Sequence, residues 1–187
     1  MYRNTFLSVM FLACCFNGSL CAQSDAQIYE RTCDAKTYPF SDPSPVATPN
    51  NSYYPYFRFD GFSMQAQEKQ WKMVVLENDY VKLTVTPEIG GKIWGAIDKV
   101  NNKEFVYTNG VVKFRDVAMR GPWTSGGIEF NFGIIGHAPT CSTPIDYLTK
   151  KNVDGSVSCH IFSYEWITRT VWNVEINLPK DKAYFTT

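Results

Sequence analysis

Hydrophobic and polar residues alternate along several stretches of the chain, and the clearest of them are residues 81–86, 156–161 and 172–178. In the first stretch, valine or leucine takes every second position and lysine or threonine takes the positions between. This period of two is typical of a β-strand with one buried face. Sustained helical periodicity with capping residues is missing from the sequence. The pattern therefore predicts an all-β fold built mainly from antiparallel strands.

Residues that tolerate a positive φ angle separate these stretches. They occur as the pairs Asn78-Asp79, Gly90-Gly91, Asn101-Asn102, Asn109-Gly110 and Asp154-Gly155. Asn-Gly and Asp-Gly are the pairs that two-residue hairpin turns favour most. We therefore predict β-hairpins at Asn109-Gly110 and at Asp154-Gly155.

The first residues have the pattern of an export signal. Arg3 precedes the apolar run Phe6–Phe16, and small residues follow that run, so residues 1–22 are predicted to be a signal peptide cleaved near Ala22. A buried N-terminal core segment is one alternative. A lipid anchor at a cysteine such as Cys14 is another. We expect an exported protein, periplasmic or extracellular, with an outer-membrane lipoprotein as the alternative.

The remaining chain divides into two parts by composition. Residues 23–51 are polar, and five of the ten prolines lie between residues 39 and 55. We therefore expect residues 23–52 to be an extended lead-in with little regular structure, and residues 53–187 to be the β-domain. Because residues 183–187 have the composition of a strand and end without a turn, we expect the domain to continue in a longer protein.

Charge and cysteine content exclude several classes of protein. The 187 residues include 18 Lys and Arg against 18 Asp and Glu. This balance gives no electrostatic footprint for nucleic acid, so we expect no nucleic-acid partner, and membrane contact only through a lipid anchor. Cys33, Cys141 and Cys159 follow the predicted cleavage site, which is too few for a disulfide scaffold. A bridge between Cys141 and Cys159 remains open.

Candidate chemistry is concentrated in residues 119–143, which contain five of the twelve glycines. The polar and aromatic candidates there are Arg120, Trp123, Glu129, Asn131 and His137. If residues 128–132 form a strand, Glu129 and Asn131 share the face opposite the apolar side chains. Tryptophan stacks on the C–H face of a sugar ring, and Arg, Glu and Asn bind hydroxyl groups. This favours a carbohydrate site, while a purely structural role in a curved sheet remains the alternative.

The two histidines differ in setting. His137 lies in a Gly-His-Ala-Pro segment, where an imidazole suits proton transfer near neutral pH, although a surface histidine without function is an open alternative. His160 lies on the polar face of a predicted strand. Cysteines and histidines do not form closely spaced metal-binding pairs, and neither a phosphate loop nor a nucleophile elbow is present. We therefore predict no metal and no cofactor.

Two segments resemble known families. Val75–Trp94 resembles the opening of galactose-mutarotase-like β-supersandwich domains. Arg120–Phe132, with Gly136-His137 and Pro144–Tyr147, is similar to domain of unknown function 5107, found in secreted bacterial proteins ahead of tetratricopeptide-type repeats. The resemblance covers about residues 70–187. It implies an antiparallel β-supersandwich, incomplete in this chain, whose concave face handles carbohydrate, and a downstream helical-repeat domain.

Two functions follow as hypotheses. The first is a carbohydrate-binding or carbohydrate-processing domain of an exported bacterial protein, with Trp123 as the stacking platform and Arg120 and Asn131 as substrate contacts. The second is a non-catalytic structural or protein-interaction module. Whether the protein is an enzyme stays open. If it is, we expect glycoside-hydrolase-like or epimerase-like acid/base chemistry, with Glu129 and His137 as the candidate groups.

Overall fold

A computed structural model describes residues 24–40, 61–116, 122–132, 137, 139–165 and 168–187. The predicted signal peptide lies outside these ranges. Within them the protein is all-β, with ten strands and two single-turn 3-10 helices. The predicted all-β sandwich is therefore confirmed. Neither of the two described helices has the length and apolar character needed to cross a membrane.

The strands form two sheets. Their bounds are β1 Gln27–Tyr38, β2 Gln67–Glu77, β3 Val81–Thr86, β4 Lys92–Asp98, β5 Lys103–Val106, β6 Val112–Asp116, β7 Pro122–Thr124, β8 Asp146–Lys151, β9 Val157–Glu165 and β10 Thr170–Leu178. The larger sheet has the order β5-β4-β3-β2-β1-β6-β7, and the smaller has the order β10-β9-β8. The pairs are antiparallel apart from β1 with β6, as the sequence pattern predicts.

Of the two predicted hairpins, one is confirmed and one is wrong. Asp154-Gly155 joins β8 to β9, with Lys151 paired to Val157 and Gly155 at a φ of 82°. Asn109-Gly110 does not form a hairpin, because β5 and β6 on either side of it are separated by four strands of the sheet. Turn propensity is local, whereas the order of strands is decided by distant pairing.

The expectation of little regular structure before the β-domain is wrong for Gln27–Tyr38. These residues form β1, which pairs with β2 along residues 27–37 and with β6 on its other side. Thr37 is the one buried residue of β1, so the strand lacks the hydrophobic alternation that marks a half-buried strand. Backbone pairing in the middle of the larger sheet orders it instead.

The two faces of the larger sheet have different neighbours. Its inner face packs against the smaller sheet, where Val74 and Leu83 share one buried cluster with Ile161 and Ile176. We call this cluster the main core. Its outer face carries a second buried cluster, formed by Trp71, Met73, Ile89, Trp94, Val112 and Phe114. The outer face is therefore partly apolar even though the smaller sheet does not cover it.

Residues 107–111, which we call the strap, connect β5 to β6 across the outer face. A Cβ atom added at Gly95 of β4 would lie 2.0 Å from Thr108 Oγ1, so the absence of a side chain at Gly95 lets the strap lie against β4. Five strand spacings measure about 24 Å along the sheet. Six residue steps, from Val106 to Val112, reach about 22 Å at most. The strap is therefore too short to connect β5 and β6 across a flat sheet. The sheet has to curl, which brings β5 and β6 within reach of the strap.

Candidate functional site

Glu129 and His137 form a close polar pair beside β4. Ile128 exchanges two backbone hydrogen bonds with Ile93 of β4, at N···O distances of 2.8 and 3.1 Å, and this bridge fixes the next residue, Glu129. His137 Nδ1 lies 2.5 Å from Glu129 Oε1. The Glu129 side chain is 11% exposed and that of His137 is 24% exposed. The carboxylate is thus largely shielded from water, while part of the imidazole remains accessible.

A buried lysine lies near this pair. Lys92, the first residue of β4, is 2% exposed, and its Nζ donates hydrogen bonds to the carbonyl oxygen of Thr124 at 2.5 Å and to the Thr124 hydroxyl at 3.0 Å. Burial lowers the pKa of Lys92, and its electrostatic interactions with Glu129 and Cys141 partly oppose that shift. Lys92 and Glu129 therefore attract each other across a region with little water.

Cys141 contacts the segment that carries Glu129, through Phe130 and Asn131. The Cys141 thiol donates to the carbonyl oxygen of Phe130 and to Asn131 Oδ1, each at 3.5 Å. Cys141 is buried at the end of the 3-10 helix Pro139–Cys141, whereas Asn131 is exposed. These contacts tie the helix to the segment that carries Glu129.

Residues Ile128–Phe132 form no strand, so the condition under which Glu129 and Asn131 would share one face is not met. Only Ile128 forms a β-bridge, and it is 36% exposed. Gly126 and Gly127 precede it with φ angles of 81° and 67°, a backbone turn that glycine adopts without strain. The chain then leaves the sheet, so that Phe130 and Phe132 can pack against the main core.

The other candidate residues are placed as follows. Trp123 is a half-buried residue of β7, directly before Thr124. Because successive side chains of a strand point to opposite faces, Trp123 points away from the face on which Thr124 contacts Lys92. Arg120 lies outside the described residues. The structure thus brings Glu129 and His137 together. Asn131 lies two residues after Glu129 and contacts the Cys141 thiol.

The remaining imidazole and thiol groups form no metal site in the described parts of the chain. His160 Nε2 lies 3.7 Å from Glu175 Oε1 on the smaller sheet. The described cysteines Cys33, Cys141 and Cys159 form no disulfide with one another, which answers the question of a bridge between Cys141 and Cys159. Groups of three or more His, Cys, Asp or Glu side chains that could hold a metal ion are absent among these residues.

Sequence reasoning missed Lys92 as a member of this site. A signal was nevertheless present, since Lys92 begins the run Lys92–Ala96, in which every residue is buried. A lysine at the start of an otherwise apolar strand indicates a buried amine that needs a partner.

It also missed a cavity of about 250 Å³ between the strap and the outer face of the larger sheet. Trp94 and Thr84 line it from the sheet, and Thr108 and Asn109 line it from the strap. Asn109 belongs to the pair that was expected to form a hairpin. The cavity depends on how the strap crosses the curled sheet, which local sequence does not reveal.

Comparison with known proteins agrees with this fold. A solved structure of a TPR-domain-containing protein from Parabacteroides distasonis ATCC 8503 is similar, with a TM-score of 0.76 and 26% sequence identity over 86% of this chain. The chain spans 28% of the length of that protein. The sequence profile of the family described as domain of unknown function (DUF5107) matches residues 48–187, which include Glu129 and His137. The chain therefore belongs to the DUF5107 family.

Proposed function

We propose that this domain binds carbohydrate at the Glu129–His137 pair. The observation that carries the proposal is the 2.5 Å contact between His137 Nδ1 and Glu129 Oε1 in a largely shielded site. Because Glu129 occupies Nδ1, Nε2 is the imidazole nitrogen that a ligand would meet. A carboxylate on Nδ1 orients the imidazole ring.

Sugar hydroxyls both donate and accept hydrogen bonds, which suits the groups near this pair. The imidazole can accept or donate a proton, and the exposed Asn131 carries both an amide donor and a carbonyl acceptor. The positive charge of the buried Lys92 attracts the Glu129 carboxylate, whose oxygens accept hydrogen bonds from hydroxyl groups. The same pair could transfer a proton to or from a bound sugar if the complete protein is catalytic.

The proposal extends to the setting of the domain. The predicted signal peptide would export the protein, to a compartment where glycans are accessible. The similar structure is described as containing a TPR domain, and this chain spans 28% of it. These facts support a longer protein in which the β-domain binds a glycan and a helical-repeat domain follows.

Isothermal titration of the 187-residue chain against a panel of oligosaccharides tests the proposal. Glu129→Gln keeps the size of the side chain but removes its charge, and we expect it to weaken binding about tenfold, as expected for a hydrogen bond to a charged group. His137→Gln should have a similar effect. Glu175→Gln is the matched control, because Glu175 faces the other histidine, His160, on the smaller sheet.

Equal sugar affinity in wild type, Glu129→Gln and His137→Gln would exclude the pair as the binding site. A structural role is the second candidate function, and the backbone bridge between Ile128 and Ile93 favours it, since that bridge anchors the pair's segment to the sheet. Under this alternative the folded wild type binds no sugar, and Glu129→Gln only lowers the free energy of unfolding.

A further inference from the structure

We propose that the cavity between the strap and the outer face is a second ligand site, which takes one neutral, sugar-sized ring bearing hydroxyl groups. Its volume is about 250 Å³. Typical small-molecule pockets measure about 300–1,000 Å³, so the cavity suits a single ring rather than a chain of rings. Among the described residues that line it, Lys92, Glu129 and His137 do not occur, so it is separate from the site proposed above.

The lining combines an apolar floor with hydroxyl groups. Met73, Trp94 and Val112 belong to the outer-face cluster and are 3%, 6% and 1% exposed. Thr84 lines the cavity from β3 and Thr108 lines it from the strap. A pyranose or a similar polyol ring presents a C–H face to such a floor and hydroxyl groups to the threonines.

The charges at the cavity favour a neutral ligand. Arg31 and Lys82 contribute two positive charges, and Asp34 and Glu104 contribute two negative charges. Lys82 also lies 3.5 Å from Glu77 Oε2, but the charge of Glu77 is itself balanced by Lys99, whose Nζ lies 2.8 Å from Glu77 Oε1. Because the charges balance, the cavity has no net field that would select an anion or a cation. The same side chains still offer directed hydrogen bonds to hydroxyl groups.

The strap is fixed in place, so the cavity needs little rearrangement to bind. Asn109 Nδ2 donates to Ser125 Oγ at 2.5 Å, and the Gly127 amide donates to the carbonyl oxygen of Tyr107 at 2.8 Å. Thr108 lies directly over Gly95. A cavity whose walls are held by such contacts loses little conformational entropy on binding, which favours measurable affinity for a small ligand.

Two substitutions probe the cavity. Gly110 lines it, and a Cβ atom added at Gly110 meets no other atom within 4 Å, so Gly110→Trp adds a large side chain beside the cavity that should obstruct it without displacing the backbone. Thr84→Val removes one hydroxyl and keeps the shape of the side chain. Val153→Trp is the control for Gly110→Trp, because Val153 is fully exposed in the turn between β8 and β9.

The probes are methyl β-glucopyranoside, methyl β-galactopyranoside and N-acetylglucosamine, with glucuronate and glucosamine as charged comparisons. We expect a neutral probe to bind wild type and Val153→Trp equally. Gly110→Trp should remove one site per chain or weaken it by about tenfold or more, and Thr84→Val should weaken it about threefold. Urea unfolding of each variant checks that it is folded.

Three outcomes would overturn the cavity site: no neutral probe binds wild type, the charged probes bind more tightly, or neither Gly110→Trp nor Thr84→Val changes the titration. If Glu129→Gln alone abolishes sugar binding, the proposed function stands and the second site fails. If Gly110→Trp alone abolishes it, the second site stands and the Glu129–His137 pair is excluded.

Discussion

Lys92 Nζ donates hydrogen bonds to both the carbonyl oxygen and the hydroxyl of Thr124, and these two residues come from strands with four others between them in the larger sheet. A lysine side chain is far too short to cross five strand spacings of a flat sheet, which measure about 24 Å. The contact therefore exists because the sheet curls until β4 and β7 approach each other. The hydrogen bonds of Lys92 to Thr124 stabilise the curled form of the sheet next to Glu129.

Thr124→Val should weaken the contact between Lys92 and Thr124 and so destabilise the curled sheet. Valine has the shape of threonine but lacks the hydroxyl, so Lys92 would keep the carbonyl contact and lose the other. Hydrogen bonds to charged groups contribute about 1.5–3 kcal/mol, so we expect the free energy of unfolding to fall by about 1–2 kcal/mol in urea. Thr149→Val, at an exposed position of β8, is the control and should change it by less than about 0.5 kcal/mol. Equal effects in the two variants would contradict the role given to the Thr124 hydroxyl.

Gly127 should tolerate no side chain. A Cβ atom there would lie 2.2 Å from the carbonyl oxygen of Ile93, and the φ angle of Gly127 is +67°. Gly127→Ala must therefore break the bridge between Ile93 and Ile128 or strain the backbone, and we expect a loss of about 2–4 kcal/mol.

Gly110→Ala is the matched glycine control. It meets open space and has no left-handed φ, so we expect no loss and a gain of up to about 1 kcal/mol from the reduced entropy of the unfolded chain. Thermal unfolding of both glycine variants measures the contrast. A Gly127→Ala protein as stable as Gly110→Ala would show that the close approach to Ile93 is not rigid.

The sequence predicted those strands whose burial is asymmetric. The alternating residues of β3, β9 and β10 face the main core on one side, and that difference produces the period of two. β1 has no such difference, since most of its side chains are exposed, and its place in the sheet comes from long-range pairing. No local pattern encodes that pairing.

The candidate site likewise combines residues that the sequence predicts with a geometry that depends on long-range pairing. Glu129 and His137 were predicted as candidates because their residue types suit acid/base chemistry and sugar binding, and the structure brings them into contact. Their distance depends on the path that the chain takes after Gly127, which local periodicity does not determine. Lys92 lies in the site only because the sheet curls, and the curl depends on all seven strands together.

Asn78 joins the turn between β2 and β3 to the segment after β10. Its Oδ1 accepts hydrogen bonds from the amides of Tyr80 and Val81 at 2.8 and 2.7 Å. Its Nδ2 donates to the carbonyl oxygens of Pro179 and Lys182 at 2.7 and 2.8 Å. A single buried side chain thus connects the two sheets at one end of the sandwich.

Asn78→Asp keeps the two accepted bonds and loses both donated ones, because a carboxylate has no N–H group. It also places a negative oxygen against two carbonyl oxygens. We expect a loss of about 2–4 kcal/mol in the free energy of unfolding at pH 7, measured in urea. Asn173→Asp, at an exposed position of β10, should be nearly neutral. A neutral Asn78→Asp would mean that the segment after β10 is held by other contacts.

Cys159 should make the protein less stable at alkaline pH. Burial in the main core, and to a smaller extent the nearby Glu30 carboxylate, raises the pKa of Cys159 from 9.0 to about 12. Between these values the folded protein keeps the thiol proton and the unfolded chain loses it. The unfolded chain therefore binds fewer protons, so the stability from this group is complete below pH 9 and is lost as the pH rises towards 12. The full effect is about 3–4 kcal/mol at most.

Cys159→Ala isolates this contribution, because the alanine does not titrate. At pH 7 the variant should be less stable than wild type by about 1–2 kcal/mol, owing to the small cavity it leaves. Urea unfolding at a series of pH values up to 11 should show this difference shrinking as the pH rises, since only wild type has a thiol to lose a proton on unfolding. Ile161→Val, an apolar change on the same strand, should keep a constant difference from wild type. A constant difference for Cys159→Ala as well would mean that water reaches the thiol, and that the larger sheet covers β9 less tightly than its burial indicates.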